Sequence, residues 1–155
     1  MEKIKPIIET VNGLILSRDL DFLSLFGNKK GEDEPFLQWL KTQPCKRCGF
    51  VPHHEMDMYI SCIPCHVRAV NKGAGTGIKP QWNATSLCFD CHHLDHNPTR
   101  TSSLGSREEI QGWADQSLTF YIVVRLRQKL GFKWIDELPS WLSKNMPDHR
   151  TITIQ

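Results

Sequence analysis

The six cysteines of this chain form three Cys-x-x-Cys pairs, and this spacing constrains the fold more than any other feature of the sequence. Two thiolates separated by two residues can bind one tetrahedral metal ion, while the backbone amides of the intervening turn stabilise the sulfurs. In a reducing compartment such pairs are more typical of zinc ligands than of disulfides. We therefore predict a small domain stabilised by zinc. The three pairs are Cys45/Cys48, Cys62/Cys65 and Cys88/Cys91.

Histidines and one asparagine accompany the second and third cysteine pairs. His92 and His96 are four residues apart, so on a helix they lie on one face and can bind the same metal ion. His66 carries an imidazole whose pKa, ordinarily about 6.5, suits it to accept a proton from water at neutral pH. Asn83 lies 17 residues after His66 and nine before His92. A base, an amide and a helical histidine pair therefore follow one another along one stretch of the chain.

The composition, 39% hydrophobic and 23% charged residues over 155 positions, is that of an ordinary soluble domain. No apolar run approaches the roughly 18 residues of a membrane span, and the N-terminus has no secretory signal, so we expect a cytoplasmic protein without membrane contact. Residues 41–80 carry six basic and two acidic residues, an excess that suits phosphate attraction but that ordinary surface lysines would also produce. The candidate DNA contacts are Arg68, Lys72 and Lys79.

Local signals predict different secondary structure at the two ends of the chain. Asn12-Gly13 suits the positive φ angles of a type I′ turn, which predicts a β-hairpin over residues 6–17. Ser106 and Glu109 form a capping box, which predicts a long helix over about residues 107–130. The predicted segments are an N-terminal hairpin and cap (1–34), a core (35–97) and a helical extension (98–155).

Four stretches within residues 35–97 resemble a phage-associated subgroup of the HNH (ββα-metal) endonucleases, similar to the phage recombination-enhancement nucleases. They read PFLQWLKTQPCKRCG, CHVR, GAGTGIKP and SLCFDCHHLDH. Together with the local signals, this resemblance predicts an α+β fold. It would have a small zinc-stabilised, treble-clef-like ββα-metal core, an N-terminal β-hairpin and C-terminal helices. The implied activity is metal-dependent hydrolysis of DNA phosphodiesters, in phage or prophage DNA processing.

The resemblance also implies a role for individual residues. His66 would be the general base that deprotonates the attacking water, and Asn83, or its backbone carbonyl, would hold the imidazole in place. One divalent ion, Mg²⁺, Mn²⁺, Ni²⁺ or Zn²⁺, would be bound by His92 and His96 together with the residue before the catalytic histidine. A separate structural Zn²⁺ would be bound by Cys45, Cys48, Cys88 and Cys91.

The chain departs from the family pattern at the residue before the catalytic histidine. The family normally has an aspartate or histidine ligand there, whereas this chain has Cys65. A thiolate would favour zinc or another soft ion over magnesium. Alternatively, Cys62 and Cys65 form a second zinc site with His53 or His54, and the catalytic ion keeps only the helical histidines.

Other classes of protein share parts of these motifs. A zinc-stabilised module that binds DNA or RNA without catalysis needs neither His66 nor Asn83. A c-type cytochrome would account for the two Cys-x-x-Cys-His runs but requires export. A thiol–disulfide oxidoreductase would require a βαβ context that the sequence does not indicate. We therefore predict a nuclease whose partner is DNA, and leave open whether another protein recruits it.

Overall fold

The computed structural model describes residues 4–29, 32–67, 81–95 and 104–146. The predicted α+β class is confirmed, because within these residues six α-helices accompany two small antiparallel sheets. The helices are α1 (Ile4–Leu16), α2 (Leu20–Leu23), α3 (Glu34–Leu40), α4 (Phe89–Asp95), α5 (Arg107–Leu130) and α6 (Trp134–Asn145), and a 3₁₀ turn covers Ser24–Phe26. The strands are β1 (His53–Glu55), β2 (Met58–Ile60), β3 (Ile63–His66) and β4 (Ala84–Leu87).

The predicted N-terminal β-hairpin is wrong, because the residues assigned to it form helix α1. The apolar residues Val11, Leu14 and Ile15 recur at helical spacing, and all three are buried. Gly13, the expected turn residue, lies inside the helix, where glycine costs about 1 kcal/mol relative to alanine. Burial of three apolar side chains outweighs that cost, so the helical pattern prevails over the local turn signal.

The chain divides into two compact units, Met1–Glu32 with Thr119–Gln155, and Asp33–Leu118. The first unit contains α1, α2, the 3₁₀ turn, the second half of α5 and α6. Its core includes an aromatic group in which Phe26 contacts Phe22 edge-on at 5.3 Å and Trp141 at 5.8 Å between ring centroids. The Tyr121 hydroxyl donates a hydrogen bond to the Phe26 carbonyl at 3.4 Å. This unit is therefore a helical body built around aromatic side chains.

The second unit contains α3, both sheets, α4 and the first half of α5. Strands β3 and β4 pair antiparallel, with His66 opposite Ala84, and α3 and α4 pack against both. Strands β1 and β2 form a separate hairpin in which all six residues are exposed. The hairpin turns at Met56 and Asp57, which have φ angles of 51° and 67°. The sequence favours a solvated loop around His53 and His54, and the structure instead has two short strands there.

The capping box predicted for α5 is confirmed. The Glu109 backbone N–H donates to the Ser106 hydroxyl at 3.1 Å, and the Ser106 N–H donates to the Glu109 carboxylate at 3.3 Å. These two bonds satisfy N–H groups that have no partner within the helix. The helix then runs as predicted to Leu130 and is followed by α6.

Trp82, which precedes β4, contacts both α3 and Asp33, the residue before α3. Its indole is fully buried and stacks on the Phe36 ring of α3 at 6.0 Å between centroids. Its backbone has φ 60°, an uncommon conformation for a bulky residue, and its N–H donates to the Asp33 carboxylate at 2.8 Å. Trp82 thus anchors the chain where it enters β4.

No helix in the described part of the chain is both long and apolar enough to cross a membrane.

Candidate metal centre

The first and third cysteine pairs are brought together by hydrogen bonds between the turn after α3 and strand β4. The Lys46 N–H, between Cys45 and Cys48, donates to the Ser86 carbonyl at 3.0 Å. The Ser86 hydroxyl donates to the Pro44 carbonyl at 2.6 Å. Because β4 ends just before Cys88 and Cys91 lies in the first turn of α4, these bonds place both pairs at one end of the sheet.

The four sulfurs of Cys45, Cys48, Cys88 and Cys91 lie within 4.8 Å of one another. The Cys48 and Cys88 sulfurs are 3.6 Å apart. A tetrahedral zinc site with Zn–S bonds of about 2.3 Å has sulfur–sulfur separations of about 3.8 Å, so the cluster has the right size. Three of the thiols are buried and Cys48 is exposed. The four cysteines can therefore hold one structural metal ion such as zinc.

The surroundings of the cluster shift the pKa values of its thiols in opposite directions. Burial raises the pKa of Cys45, but hydrogen bonds from the backbone N–H groups of Cys48, Cys88 and Arg47 outweigh it and lower the pKa to about 7. Burial raises the pKa of Cys91 to about 12, despite a hydrogen bond from Arg47 that lowers it. Metal binding requires all four thiols as thiolates, so it would release protons from this cluster.

Arg47 is a functional candidate that sequence analysis did not single out. Its guanidinium donates to the Cys91 sulfur at 3.6 Å and to the Leu104 carbonyl at 3.3 Å. A divalent ion with four thiolates carries a net charge of −2, and this cation offsets part of it. The only signal in the sequence is the position of Arg47 between two predicted ligands.

The second cysteine pair lies beside this centre without joining it. Cys62 and Cys65 are buried in one apolar cluster with Leu87, Leu104 and three of the four candidate ligands, namely Cys45, Cys88 and Cys91. Burial raises the pKa of the Cys62 thiol to about 12, and the nearby Cys45, Cys88 and Cys48 raise it further. In the described part of the chain, Cys62 and Cys65 belong to no group of three or more metal-ligating side chains.

The histidines considered for a second zinc site are on the exposed strand β1. The His53 ring nitrogens lie 2.8 Å from the Val51 carbonyl oxygen and 3.3 Å from the Glu55 carboxylate, and because both partners can only accept, the ring is the donor in each hydrogen bond. The His54 ring contacts the Tyr59 ring, with centroids 5.1 Å apart. Within the described residues, neither histidine is grouped with Cys62 as a metal ligand.

The candidate catalytic residues lie at the opposite end of the β3–β4 pair. His66 is the last residue of β3, is partly exposed and stands opposite Ala84. Asn83, 7% exposed, precedes β4; its carbonyl accepts from the Val67 N–H at 2.9 Å, and its side-chain amide donates to the Val67 carbonyl at 2.7 Å. Asn83 therefore holds the backbone directly after His66.

Of the remaining candidate residues, His92 and Cys65 lie within the described part of the chain. His92 lies on α4, which packs against β3 and β4. Cys65, 2% exposed, faces the buried cluster. His96, Arg68, Lys72 and Lys79 lie outside the described residues.

Sequence analysis also missed the residues that contact the Asn83 side chain. Gln111 on α5 exchanges hydrogen bonds with it, and Asp115 accepts a hydrogen bond from Gln111 at 3.1 Å. Gln111 follows Asn83 by 28 positions, and neither belongs to a motif that would connect them.

Comparison of the chain with protein-family models, with curated proteins and with solved structures finds no match. The resemblance to HNH nucleases therefore stays a prediction from the motif residues, and the function is argued from their geometry.

Proposed function

We propose that this protein is a metal-dependent DNA endonuclease of the HNH type, acting in phage or prophage DNA processing. The observation that carries the proposal is the position of His66 at the end of β3, beside an asparagine that holds the adjoining backbone. Among the described elements, strands β3 and β4 and helix α4 also come in the strand–strand–helix order of a ββα-metal centre.

His66 is the general base in this proposal. A base must reach the water molecule that attacks the phosphate, and the partly exposed imidazole meets that requirement. Because successive strand residues point to opposite faces, His66 points away from the face on which Cys65 is buried. The base and the structural metal centre therefore occupy different surroundings.

Helix α4 links the two sites. Its first turn carries Cys91, whose thiol belongs to the structural centre, and the next residue is His92. A metal ion at Cys91 would fix the start of the helix and so limit the movement of His92. The structural site thereby supports the proposed catalytic site without taking part in the reaction.

We assign the catalytic ion to His92 and His96, and not to Cys65. Cys65 is buried among apolar side chains and the thiols of the structural centre. A divalent ion held by His92 and His96 would supply positive charge at the scissile phosphate and at the departing oxygen. The chain's own contribution is to position the base, through β3 and Asn83, beside that phosphate.

The proposal is tested by incubating purified protein and supercoiled plasmid with Mg²⁺, Mn²⁺, Ni²⁺ or Zn²⁺, with bound zinc measured in parallel. We expect nicking or linearisation with at least one metal, and a 100- to 10,000-fold slower rate for His66→Ala, the usual effect of removing a general base. His93→Ala is the matched control, because His93 is exposed on α4 beside the proposed ligand. It should cleave at the wild-type rate.

Both variants must keep the zinc content of the wild type, which excludes loss of the fold as the cause. Equal cleavage by His66→Ala and wild type would refute the assignment of the base. Absence of cleavage with every metal, combined with DNA binding, would favour the non-catalytic binding module.

A further inference from the structure

The side-chain amide of Asn83 is hydrogen-bonded through both its nitrogen and its oxygen. Its nitrogen donates to the Val67 carbonyl at 2.7 Å and to the Gln111 side-chain oxygen at 3.3 Å. Its oxygen accepts from the Gln111 side-chain nitrogen at 2.7 Å. Asn83 and Gln111 thus form a reciprocal pair of amides at the end of the β3–β4 sheet.

The groups at the two ends of this pair determine how each amide is oriented, nitrogen against oxygen. The Val67 carbonyl and the Asp115 carboxylate can only accept hydrogen bonds, so each must face an amide nitrogen. Gln111 donates to Asp115 at 3.1 Å through the same nitrogen that donates to Asn83. Rotation of either amide by 180° would bring oxygen against oxygen, and the observed orientation is therefore strongly preferred.

Helix α5 is held against β4 at a second point. The Thr85 and Ser117 hydroxyls are buried and hydrogen-bonded to each other at 3.1 Å. Ala114 and Leu118, which share a helical face with Gln111, are fully buried. Gln111 is therefore presented to Asn83 by a helix that is already anchored.

We propose that Gln111 is a positioning residue for catalysis, oriented by Asp115. By fixing the Asn83 amide it holds the backbone at Val67, and hence the placement of His66 one residue earlier. This inference rests on the proposed nuclease function, and it extends the catalytic site beyond residues 35–97 into α5. Misplacement of a catalytic group by about 1 Å can slow a reaction about 100-fold.

The test uses Gln111→Met and Gln111→Glu in the full-length protein. Methionine keeps the approximate length of the side chain but neither donates nor accepts an amide hydrogen bond. Glutamate keeps the shape but cannot donate to the Asn83 oxygen, and it adds a negative charge beside Asp115. Gln128→Ala is the matched control, because Gln128 lies on the same helix, is exposed and contacts only Arg125 among the hydrogen bonds described for it.

We expect both Gln111 variants to lower kcat by about 10- to 100-fold with little change in KM for DNA, since Gln111 positions the base and does not contact substrate. Gln128→Ala should match wild type. Zinc content and melting temperature identify any variant that fails to fold.

A second readout does not depend on activity. The Val67 N–H donates to the Asn83 carbonyl, so loss of the Gln111 contact should accelerate its hydrogen exchange about 3- to 10-fold, the effect of weakening one hydrogen bond. Exchange at the same position should be unchanged in Gln128→Ala.

The outcomes separate the two proposals. A wild-type protein that cleaves no DNA refutes the nuclease function, and the exchange measurement then decides whether Gln111 holds this backbone. An active wild type with unchanged kcat in both Gln111 variants overturns the positioning role, as does unchanged Val67 exchange.

Discussion

Replacement of Cys88 by alanine tests whether the four-cysteine cluster binds the metal ion that stabilises the second unit. The change removes one of four thiols whose sulfurs lie within 4.8 Å of one another. A three-thiolate remnant lacks the closed tetrahedral coordination of a structural zinc site. We expect Cys88→Ala to lose its zinc and to lose protection of the β3–β4 amides.

The expected loss of stability can be compared with two quantities, the entropy of the loop that the metal ion closes and the binding free energy of a structural zinc ion. The metal joins Cys48 to Cys88 and so closes a loop of 39 residues (88 − 48 − 1). Closing a loop of that length costs about 3 kcal/mol in chain entropy. Structural zinc contributes about 10–16 kcal/mol of apparent binding free energy, against a typical domain stability of about 5–15 kcal/mol. Loss of the ion should therefore unfold the second unit rather than merely weaken it.

The assay combines zinc determination by mass spectrometry with amide hydrogen exchange. Cys62→Ala is the matched control, because it also removes a buried thiol from the same apolar cluster but from outside the four-cysteine group. We expect it to retain one zinc per chain and to lose only about 1–2 kcal/mol. A Cys88→Ala protein with one tightly bound zinc and wild-type exchange would refute the reasoning, as would zinc loss in Cys62→Ala.

Two further predictions concern parts of the molecule away from the metal centre. Hydrogen bonding to the Val51 carbonyl, and then to Glu55, raises the pKa of His53, so Glu55→Gln should lower that pKa in an NMR titration. The stabilisation that protonated His53 gains from these contacts is fully present below pH 6.5 and is lost as the pH rises through the raised pKa of His53. An unchanged His53 pKa in Glu55→Gln would contradict the prediction. Leu118→Ala should cost about 2–5 kcal/mol in chemical unfolding because Leu118 is fully buried, whereas Phe120→Ala on the same helix should cost less because Phe120 is exposed.

Sequence reasoning succeeded where local spacing determines structure. The Cys-x-x-Cys spacing identified three candidate ligand pairs, the family resemblance indicated which two of them share a metal ion, and the capping box identified the start of α5. In both cases the residues that interact either lie within one turn or bind a common centre. Such patterns can be recognised without knowledge of the tertiary fold.

Sequence reasoning failed where a local signal competed with packing or was absent. Asn12-Gly13 predicted a turn, but the burial of Val11 and Ile15 requires the helix. The β1–β2 hairpin turns at Met56-Asp57, which lacks the usual asparagine–glycine signature, and its exposed strands show no alternation of burial. The contact between Asn83 and Gln111 depends on the placement of α5 against β4, which no short motif encodes.

The anchored Trp82 has a consequence for the fidelity of strand pairing. All four residues of β4 are buried, so no alternation of polar and apolar side chains specifies its alignment. A slip by one residue would send every side chain to the opposite face. Such a slip would withdraw Trp82 from Phe36 and Asp33 at one end, and Cys88 from its thiol neighbours at the other. The correct alignment of β4, and with it the place of Ala84 opposite His66, is thus selected at both ends of the strand, in addition to the hydrogen bonds that Thr85 and Ser86 make within it.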